Sequence, residues 1–260
     1  MKELEVAVAA AREAGAIIRS LYGRRIAVVE KLDRADSPLT EADTRANDAL
    51  HRAIGAAFPD DGWLSEESRD DPTRLAKRRV WIVDPLDGTK EFVREIPELA
   101  VSVGLVEDGV SIVGVVYNPI TDELYAAAHD EPATLNGASI HVSDTRLLAR
   151  ATIIASRSES ERGEWDAFRG RFAIERRGSV AYKLALVAGG RADATFTLVP
   201  KSEWDICASV CVLERAGGRV TGLDGKPLRF NRQRTRLDGL VASNGALHDD
   251  ILRLLYESRS

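Results

Sequence analysis

Apolar residues recur every three or four positions near the start of the chain, which is the spacing of one face of a helix. This pattern predicts an amphipathic helix over residues 4–22. A second helix is predicted over residues 40–57, because Ser37-Pro38 precedes it and acidic residues lie near its start. The charged residues 24–37 between the two helices indicate a loop or a short hairpin.

Short apolar runs bounded by turn residues follow, and such runs are typical of β-strands. Residues 80–83 predict a buried strand, and Asp108-Gly109 and Thr121-Asp122 predict turns between later antiparallel strands. Those strands are predicted at residues 100–106, 110–117 and 123–127. The first part of the chain is therefore expected to combine two helices with a sheet.

Beyond residue 150, predicted strands and helices alternate, which is typical of an α/β layer. The strands are predicted at residues 151–155, 173–175, 192–198, 219–221 and 240–242. The helices are predicted at residues 159–170, 179–189, 204–216 and 246–257. From this change of rhythm we expect an α+β part over residues 1–145 and an α/β part over residues 146–260.

The composition is that of a globular chain, since 44% of its 260 residues are hydrophobic and 30% are charged. A chain of this length can bury a core without disulfides. No apolar run approaches the roughly 20 residues that span a bilayer, so we expect no stable membrane association. Residues 1–5 carry acids where a signal peptide would carry bases, so we expect a cytoplasmic protein.

The net charge limits the classes of ligand that the protein is expected to bind. The chain has 36 Lys and Arg residues against 41 Asp and Glu residues, and this net charge of −5 argues against binding to nucleic-acid polymers. A small phosphorylated ligand is compatible with it, because bound cations reverse the local sign. Cys207 and Cys211 are expected in the core. The histidines, all expected at the surface, are His51, His129, His141 and His248.

The acidic residues after the predicted strand 80–83 carry the strongest chemical signal. Asp84 directly follows the apolar run, and ligands bind at the carboxyl ends of strands in open α/β sheets. Pro85 holds Asp84 in an extended conformation and ends the strand. Asp87 comes three residues after Asp84, and two carboxylates on one tight loop repel each other unless a cation lies between them. Hard cations such as Mg²⁺ take oxygen ligands of this kind.

A turn with a helix cap is the alternative interpretation of Asp84 and Asp87. Three further acids occupy comparable positions, since Glu66 lies ahead of the same strand, and Asp43 and Asp205 lie near the starts of helices. Asp43 alone could favour the helix dipole, and Asp205 alone could be a cap. Acids at four such sites in one chain favour a common metal site over these separate explanations.

Three segments resemble the signature motifs of the inositol monophosphatase superfamily. They are Leu64-Ser65-Glu66-Glu67, Trp81-Ile82-Val83-Asp84-Pro85-Leu86-Asp87-Gly88-Thr89 and Glu203-Trp204-Asp205. The resemblance runs from the first predicted helix to the last. It implies a layered αβαβα sandwich of two parts, and a Mg²⁺-dependent, lithium-sensitive phosphomonoesterase.

The resemblance also implies a role for each matching residue. The implied metal ligands are Glu66, Asp84, Leu86 through its backbone carbonyl, Asp87 and Asp205. Glu66 and Thr89 would activate the attacking water, and Asp43 would help to place that water or a further metal. The implied substrate contacts are Asp87, Gly88, Thr89, Lys183 and Asp205, with the amides of Gly88 and Thr89 binding phosphate. Two or three Mg²⁺ ions are the expected cofactors.

Residues beyond the metal motif resemble the bisphosphate nucleotidase branch of the superfamily. Lys90-Glu91-Phe92 is similar to the string found there. Lys183 matches a lysine of that branch that suits a second phosphate. Leu198 stands where the inositol branch has a sugar-binding glutamate. The resemblance therefore implies removal of the 3′-phosphate of 3′-phosphoadenosine 5′-phosphate, a reaction of sulfur metabolism.

Other interpretations stay open at this point. Lys183 could be a lysine on a helix surface. The substrate could be inositol 1-phosphate or a related sugar phosphate, including fructose bisphosphate, or histidinol phosphate. A non-catalytic sensor of metal or nucleotide would be expected to lack a water-activating residue, whereas Glu66, Thr89 and Asp43 are all present. The expected partner is a small phosphate ester, with a homodimer as an expected assembly.

Overall fold

The computed structural model describes residues 1–30 and 38–258. The helices in these ranges are α1 (Lys2–Leu21), α2 (Glu41–Ala57), α3 (Thr89–Val93), α4 (Arg157–Glu161), α5 (Val180–Ala188), α6 (Glu203–Arg215) and α7 (His248–Glu257). The strands up to residue 139 are β1 (Val28–Glu30), β2 (Pro38–Thr40), β3 (Gly62–Ser65), β4 (Arg79–Asp87), β5 (Ala100–Glu107), β6 (Val110–Asn118), β7 (Glu123–Ala128), β8 (Thr134–Leu135) and β9 (Ala138–Ser139). The later strands are β10 (Thr152–Ser156), β11 (Ala173–Arg177), β12 (Ala194–Thr197), β13 (Lys201–Ser202), β14 (Arg219–Thr221), β15 (Arg236–Leu237) and β16 (Leu240–Ser243).

Helices and sheets alternate in five layers. The helices α1 and α2 cover one face of a seven-stranded sheet of order β3-β4-β5-β6-β7-β8-β9. The helices α5 and α6 lie between this sheet and a five-stranded sheet of order β11-β10-β12-β16-β14, and α7 covers the outer face of the second sheet. This arrangement is the predicted αβαβα sandwich.

The pleat of the strands produces this layering. Ile154 packs in the core that contains α5 and α6, whereas its neighbours Ile153 and Ala155 pack in the core that contains α7. Successive side chains of a strand point to opposite faces, so one short apolar strand serves two hydrophobic layers. Close contact between layers also depends on Gly114 in β6, because a Cβ there would collide with the backbone carbonyl of Ala208 in α6.

Several local predictions are confirmed by the structure. The two N-terminal helices form as predicted, and the side chain of Thr40 caps α2 by accepting a hydrogen bond from the amide of Ala42 at 3.2 Å. Cys207 and Cys211 are both buried. Within the loop or hairpin predicted over residues 24–37, residues 28–30 form β1, which pairs antiparallel with β2 just beyond that range. Residues 31–37 of the prediction lie outside the described residues.

Three predictions are wrong. Pro85 does not end the strand, because β4 continues through it to Asp87, with a shift of register after Asp84. The helix predicted over residues 159–170 is only the five residues of α4 and a short 3-10 helix (Asp166–Phe168), because Gly163 between them adopts φ +79°. His248 lies in the core rather than at the surface, where its ring nitrogens lie 2.9 Å from the hydroxyls of Thr221 and Ser243. Burial lowers the pKa of His248 to about 4, so the ring is neutral near pH 7.

The seven-stranded sheet ends at Ser139 and the five-stranded sheet begins at Thr152. The division into an α+β part and an α/β part stays an interpretation of the sequence. None of the described helices is both long enough and apolar enough to span a bilayer.

Candidate functional site

The candidate site forms where β4 ends. Asp84 is 1% exposed, and its Oδ1 accepts a hydrogen bond from the amide of Leu86 at 3.0 Å. The pairing of β4 with β5 shifts register between Asp84 and Asp87, so the strand bulges where its acids lie. Gly88 follows with φ +104°, and a Cβ there would lie only 3.0 Å from the carbonyl of Glu98. The local backbone therefore requires glycine between Asp87 and the start of α3.

Acids from three separate elements converge at this strand end. Carboxylate oxygens of Glu66, Asp84 and Asp205 lie within 4.8 Å of one another. Glu66 directly follows β3, which is parallel to β4, and its amide donates to the carbonyl of Val83 at 3.2 Å. Asp205 lies in the first turn of α6 and accepts a hydrogen bond from the amide of Ser202 at 2.8 Å. Asp205 is thus both a helix cap and a member of the cluster.

Asp87 lines the same cleft but turns its carboxylate toward α5. Its Oδ2 accepts hydrogen bonds from the hydroxyl of Ser179 at 2.7 Å and from the amide of Ala181 at 2.6 Å. One oxygen of Asp87 is therefore held by α5, which belongs to the layer between the two sheets.

The electrostatics of the cluster are those of carboxylates packed together without enough counter-charge. Burial raises the pKa of Asp84 well above its ordinary value, and the neighbouring carboxylates raise it further. Burial and the charges of Asp87 and Glu66 raise the pKa of Asp205 to about 7. Burial also raises the pKa of Asp87, although the hydrogen bonds from Ser179 and Ala181 oppose the shift. A divalent cation would remove this repulsion.

The donor set fits a hard cation. It consists of the carboxylate oxygens of Glu66, Asp84 and Asp205, and Mg²⁺ prefers oxygen ligands of this kind in proteins. Histidine and cysteine are absent from the residues that line this cleft in the described part of the chain. Soft or borderline metals such as Zn²⁺ are therefore less well matched to the donors than Mg²⁺.

A hydrogen-bonded group lies beside the cluster on the α2 side. The hydroxyl of Thr89 donates to Asp43 Oδ1 at 2.8 Å and lies 3.2 Å from the carbonyl of Leu86. Asp43 Oδ2 accepts from the amide of Thr40 at 2.8 Å and from its hydroxyl at 2.6 Å. With its proton directed at Asp43, the Thr89 oxygen can accept a hydrogen bond from a water in the cleft.

Cationic side chains line the same cleft as the acids. The cleft has a volume of about 560 Å³, and Lys183, Lys201 and Arg236 line it together with the acids. Lys183 is 3% exposed, so the interpretation of this residue as a helix-surface lysine is wrong. Lys201 Nζ donates to the buried carboxylate of Glu159 at 2.9 Å.

Comparison with known proteins decides the family. The sequence model of the inositol monophosphatase family matches residues 2–260. The chain belongs to the inositol monophosphatase family. A histidinol-phosphatase of Chlorobaculum parvum is 31% identical over 256 residues, which cover 96% of this chain and 95% of that protein.

Solved structures of the family agree with the fold. The inositol monophosphatase of Thermotoga maritima is 29% identical and superimposes with a TM-score of 0.89, covering 99% of this chain and 98% of that one. CysQ from Bacteroides thetaiotaomicron, described as a bacterial member of the family, is 29% identical with a TM-score of 0.78, covering 94% of this chain and 97% of that one. The chain is therefore a phosphatase-family protein over its whole length.

Within this family site, the structure brings most of the predicted residues to one cleft. Glu66, Asp84, Leu86, Asp87, Gly88, Thr89, Lys183 and Asp205 all line it. Asp43 accepts a hydrogen bond from Thr89, which lines the cleft. Leu198 instead lines a separate cavity of about 280 Å³ beside Trp165 and Phe196.

Sequence reasoning missed Ser179, Lys201 and Arg236. Ser179 had a local signal, since a serine at the start of the helix predicted over residues 179–189 favours a cap, but nothing in the sequence pointed to its partner Asp87. Lys201 and Arg236 lie on the two-residue strands β13 and β15, which are too short to show a period.

The raised pKa values predict how the metal-free protein responds to pH. Its melting temperature in excess chelator is expected to rise as the pH falls from about 7.5 to about 6. The folded-state pKa of Asp205 is about 7 against an ordinary 3.8, so the folded protein binds protons in this window and the unfolded chain does not. Protonation therefore favours the fold, and this stability is lost as the pH rises through 7. Mg²⁺ should reduce the pH dependence because it replaces the protons.

Two comparisons isolate the contribution of the cluster. Burial also raises the pKa of Glu203, outside the cluster, to about 7, so Asp205→Asn should lose only part of the effect. A melting temperature in chelator that falls steadily from about pH 7.5 to about pH 6 would contradict the assigned charge repulsion.

Proposed function

We propose that this chain hydrolyses the 3′-phosphate of 3′-phosphoadenosine 5′-phosphate, giving AMP and phosphate, with Mg²⁺ as cofactor. The observation that carries the proposal is the state of Lys183. Its side chain is buried, lines the cleft and has no hydrogen-bond or ion-pair partner within residues 1–30 and 38–258.

A buried lysine without a partner is costly unless a ligand supplies the counter-charge. Burial lowers the pKa of Lys183 to about 8, against the opposing charge of Glu159, so the ammonium form still predominates at neutral pH. A substrate with a second phosphate would pair with this ammonium while its first phosphate lies at the acids. A monophosphate of an uncharged polyol offers no such group.

The position of Leu198 supports the same choice. Its side chain is apolar and packs with the aromatic core near Phe196 instead of lining the cleft. It cannot accept hydrogen bonds from the hydroxyls of inositol. Lys201 and Arg236 also line the cleft and would add positive charge for the second phosphate.

The acids of the cleft divide the chemical work. Glu66, Asp84, Asp87, Asp205 and the carbonyl of Leu86 are the proposed ligands. Bound Mg²⁺ would lower the pKa of water and neutralise charge on the entering and leaving oxygens. Thr89 and Glu66 orient the attacking water, with Asp43 fixing the Thr89 hydroxyl at 2.8 Å. The backbone amides of Gly88 and Thr89 are the proposed phosphate contacts.

A second candidate is hydrolysis of inositol 1-phosphate or histidinol phosphate. It is favoured by the names of relatives, which include a histidinol-phosphatase at 31% identity and an inositol-1-monophosphatase of Synechocystis at 34% identity. Inhibition by lithium is proposed from the resemblance to the superfamily, and a role in sulfur metabolism belongs to the nucleotidase proposal. Cytoplasmic location and homodimer formation stay predictions from the sequence.

The proposal is tested by phosphate release with Mg²⁺ from 3′-phosphoadenosine 5′-phosphate, inositol 1-phosphate and histidinol phosphate. We expect kcat/KM for the nucleotide to exceed that for each monophosphate by at least about tenfold, the effect of one hydrogen bond to a charged group. A preference for either monophosphate would contradict the nucleotidase proposal and leave the phosphatase family in place.

A further inference from the structure

Ser179 adopts a backbone conformation that residues with a side chain rarely take. Its φ is 50° and its ψ is 123°. Such a conformation costs free energy and persists only where the surrounding structure holds it in place. Ser179 is the residue before α5 and lines the cleft, so the strained conformation lies at the candidate active site.

Two contacts explain what the strained conformation achieves. The Ser179 hydroxyl donates to Asp87 Oδ2 at 2.7 Å and accepts from the amide of Tyr182 at 3.0 Å, which caps α5. The amide of Ala181 donates to the same oxygen of Asp87 at 2.6 Å. The first turn of α5 is therefore fixed on a carboxylate that we assign to the metal site.

The segment before Ser179 holds this turn from the other side. The amide of Gly178 donates to Glu98 Oε2 at 2.8 Å, and Arg157 donates to the same oxygen at 2.6 Å. A Cβ at Gly178 would collide with the side chain of Glu91, so a larger residue there would displace Glu91. These contacts leave the Ser179 backbone little room to relax.

Lys183 lies four residues after Ser179, about 6 Å along the axis of α5. The contact between Ser179 and Asp87 therefore sets the distance from the acidic cluster to the buried ammonium. That distance decides which separation of two anionic groups the cleft accepts.

We propose that Ser179 is a positioning residue that orients Asp87 for metal binding and fixes the spacing between the acidic cluster and Lys183. The claim about spacing rests on the proposed nucleotidase function, whereas the claim about Asp87 does not. Removing a group that hydrogen-bonds to a metal ligand typically lowers metal affinity or activity by about 10- to 100-fold.

The test compares Ser179→Gly with Ser179→Ala. Glycine accepts positive φ freely and replaces a capping serine at little cost, so Ser179→Gly should fold with a melting temperature near that of the wild type. Alanine removes the same hydroxyl but keeps the strain. Mn²⁺ binding, followed by the electron paramagnetic resonance signal of free Mn²⁺, measures the site without turnover.

Both variants are expected to bind Mn²⁺ about tenfold more weakly or worse, and to lose most of the preference for the bisphosphate over inositol 1-phosphate. Asn136→Gly is the matched control, because Asn136 also has φ 50° and a hydrogen-bonding side chain but lies in a hairpin away from the cleft. It should match the wild type in both assays.

The proposal is overturned if Ser179→Gly binds Mn²⁺ as tightly as the wild type, or if only Ser179→Ala loses affinity. In either case Ser179 would serve only as the cap of α5. If the wild-type enzyme prefers a monophosphate but both variants still lose Mn²⁺ affinity, the nucleotidase proposal and the claim about spacing fail, while the role of Ser179 toward Asp87 stands.

Discussion

Replacing Asp84 with asparagine is expected to lower kcat by more than about a thousandfold, which is about 4 kcal/mol of barrier. Asparagine keeps the shape of the side chain but removes the charge from the centre of the acidic cluster. Asp84 is the most buried of the three clustered acids. Phosphate release at saturating Mg²⁺ measures the effect.

The same substitution should not unfold the protein. Burial and the neighbouring carboxylates raise the pKa of Asp84, so its charge is unfavourable in the metal-free protein. The melting temperature of Asp84→Asn in chelator is therefore expected to equal or exceed that of the wild type. Asp108→Asn is the control, since Asp108 lies in an exposed turn between β5 and β6 and asparagine tolerates its positive φ. Activity of Asp84→Asn within about tenfold of the wild type would contradict the metal assignment.

Replacing Lys183 with methionine is expected to lower kcat/KM for the bisphosphate about 10- to 100-fold, the effect of losing one hydrogen bond to a charged group. The loss for inositol 1-phosphate should stay within about threefold, because the variant keeps the side-chain volume and the acids are unchanged. Methionine also removes a buried charge, so the variant should be at least as stable as the wild type. Lys226→Met, which changes an exposed lysine outside the cleft, is the control.

Lys183 also gives the reaction a specific pH dependence. Its pKa is about 8, so the ammonium loses its proton as the pH rises through that value. KM for the bisphosphate is expected to rise above about pH 8 in the wild type and to stay flat there in Lys183→Met. Equal losses of kcat/KM on both substrates would contradict the role assigned to Lys183. The same rise of KM above about pH 8 in the wild type and in Lys183→Met would also contradict it.

The strand end was predictable because its signals are local. An apolar run followed by Asp84-Pro85 predicts an acid near the end of a strand, and Asp84 lies where the pairing of β4 shifts register, although the strand continues to Asp87. Asp205 is different, since it lies 118 residues beyond Asp87 and no periodicity brings α6 to β4. Its position beside Asp84 was suggested only by the number of acids at comparable positions and by the resemblance to the family.

The sequence around Lys183 also indicates that this lysine is buried. The segment of α5 is apolar on all sides except at Lys183, and such helices are buried. That pattern by itself indicates a buried lysine rather than a surface one. The partner of Ser179 could not be predicted, because its contact with Asp87 joins residues 92 positions apart.

The helix predicted over residues 159–170 was wrong for a local reason. The segment is mostly polar, so its apolar periodicity is weak. Gly163 ends the helix by adopting a positive φ. The wrong placement of His248 has a different cause. Two hydroxyl partners from neighbouring strands satisfy its ring in the core, and such partners cannot be identified from the position of a lone histidine.

The most direct measurement of the central claim is the identity of the product formed from 3′-phosphoadenosine 5′-phosphate, followed by ³¹P nuclear magnetic resonance with Mg²⁺ and with chelator. The predicted result is adenosine 5′-monophosphate and inorganic phosphate with Mg²⁺, and no reaction with chelator. Formation of adenosine 3′-monophosphate would contradict the placement of the second phosphate at Lys183. No turnover of the nucleotide, in a preparation that hydrolyses inositol 1-phosphate, would contradict the proposed function itself.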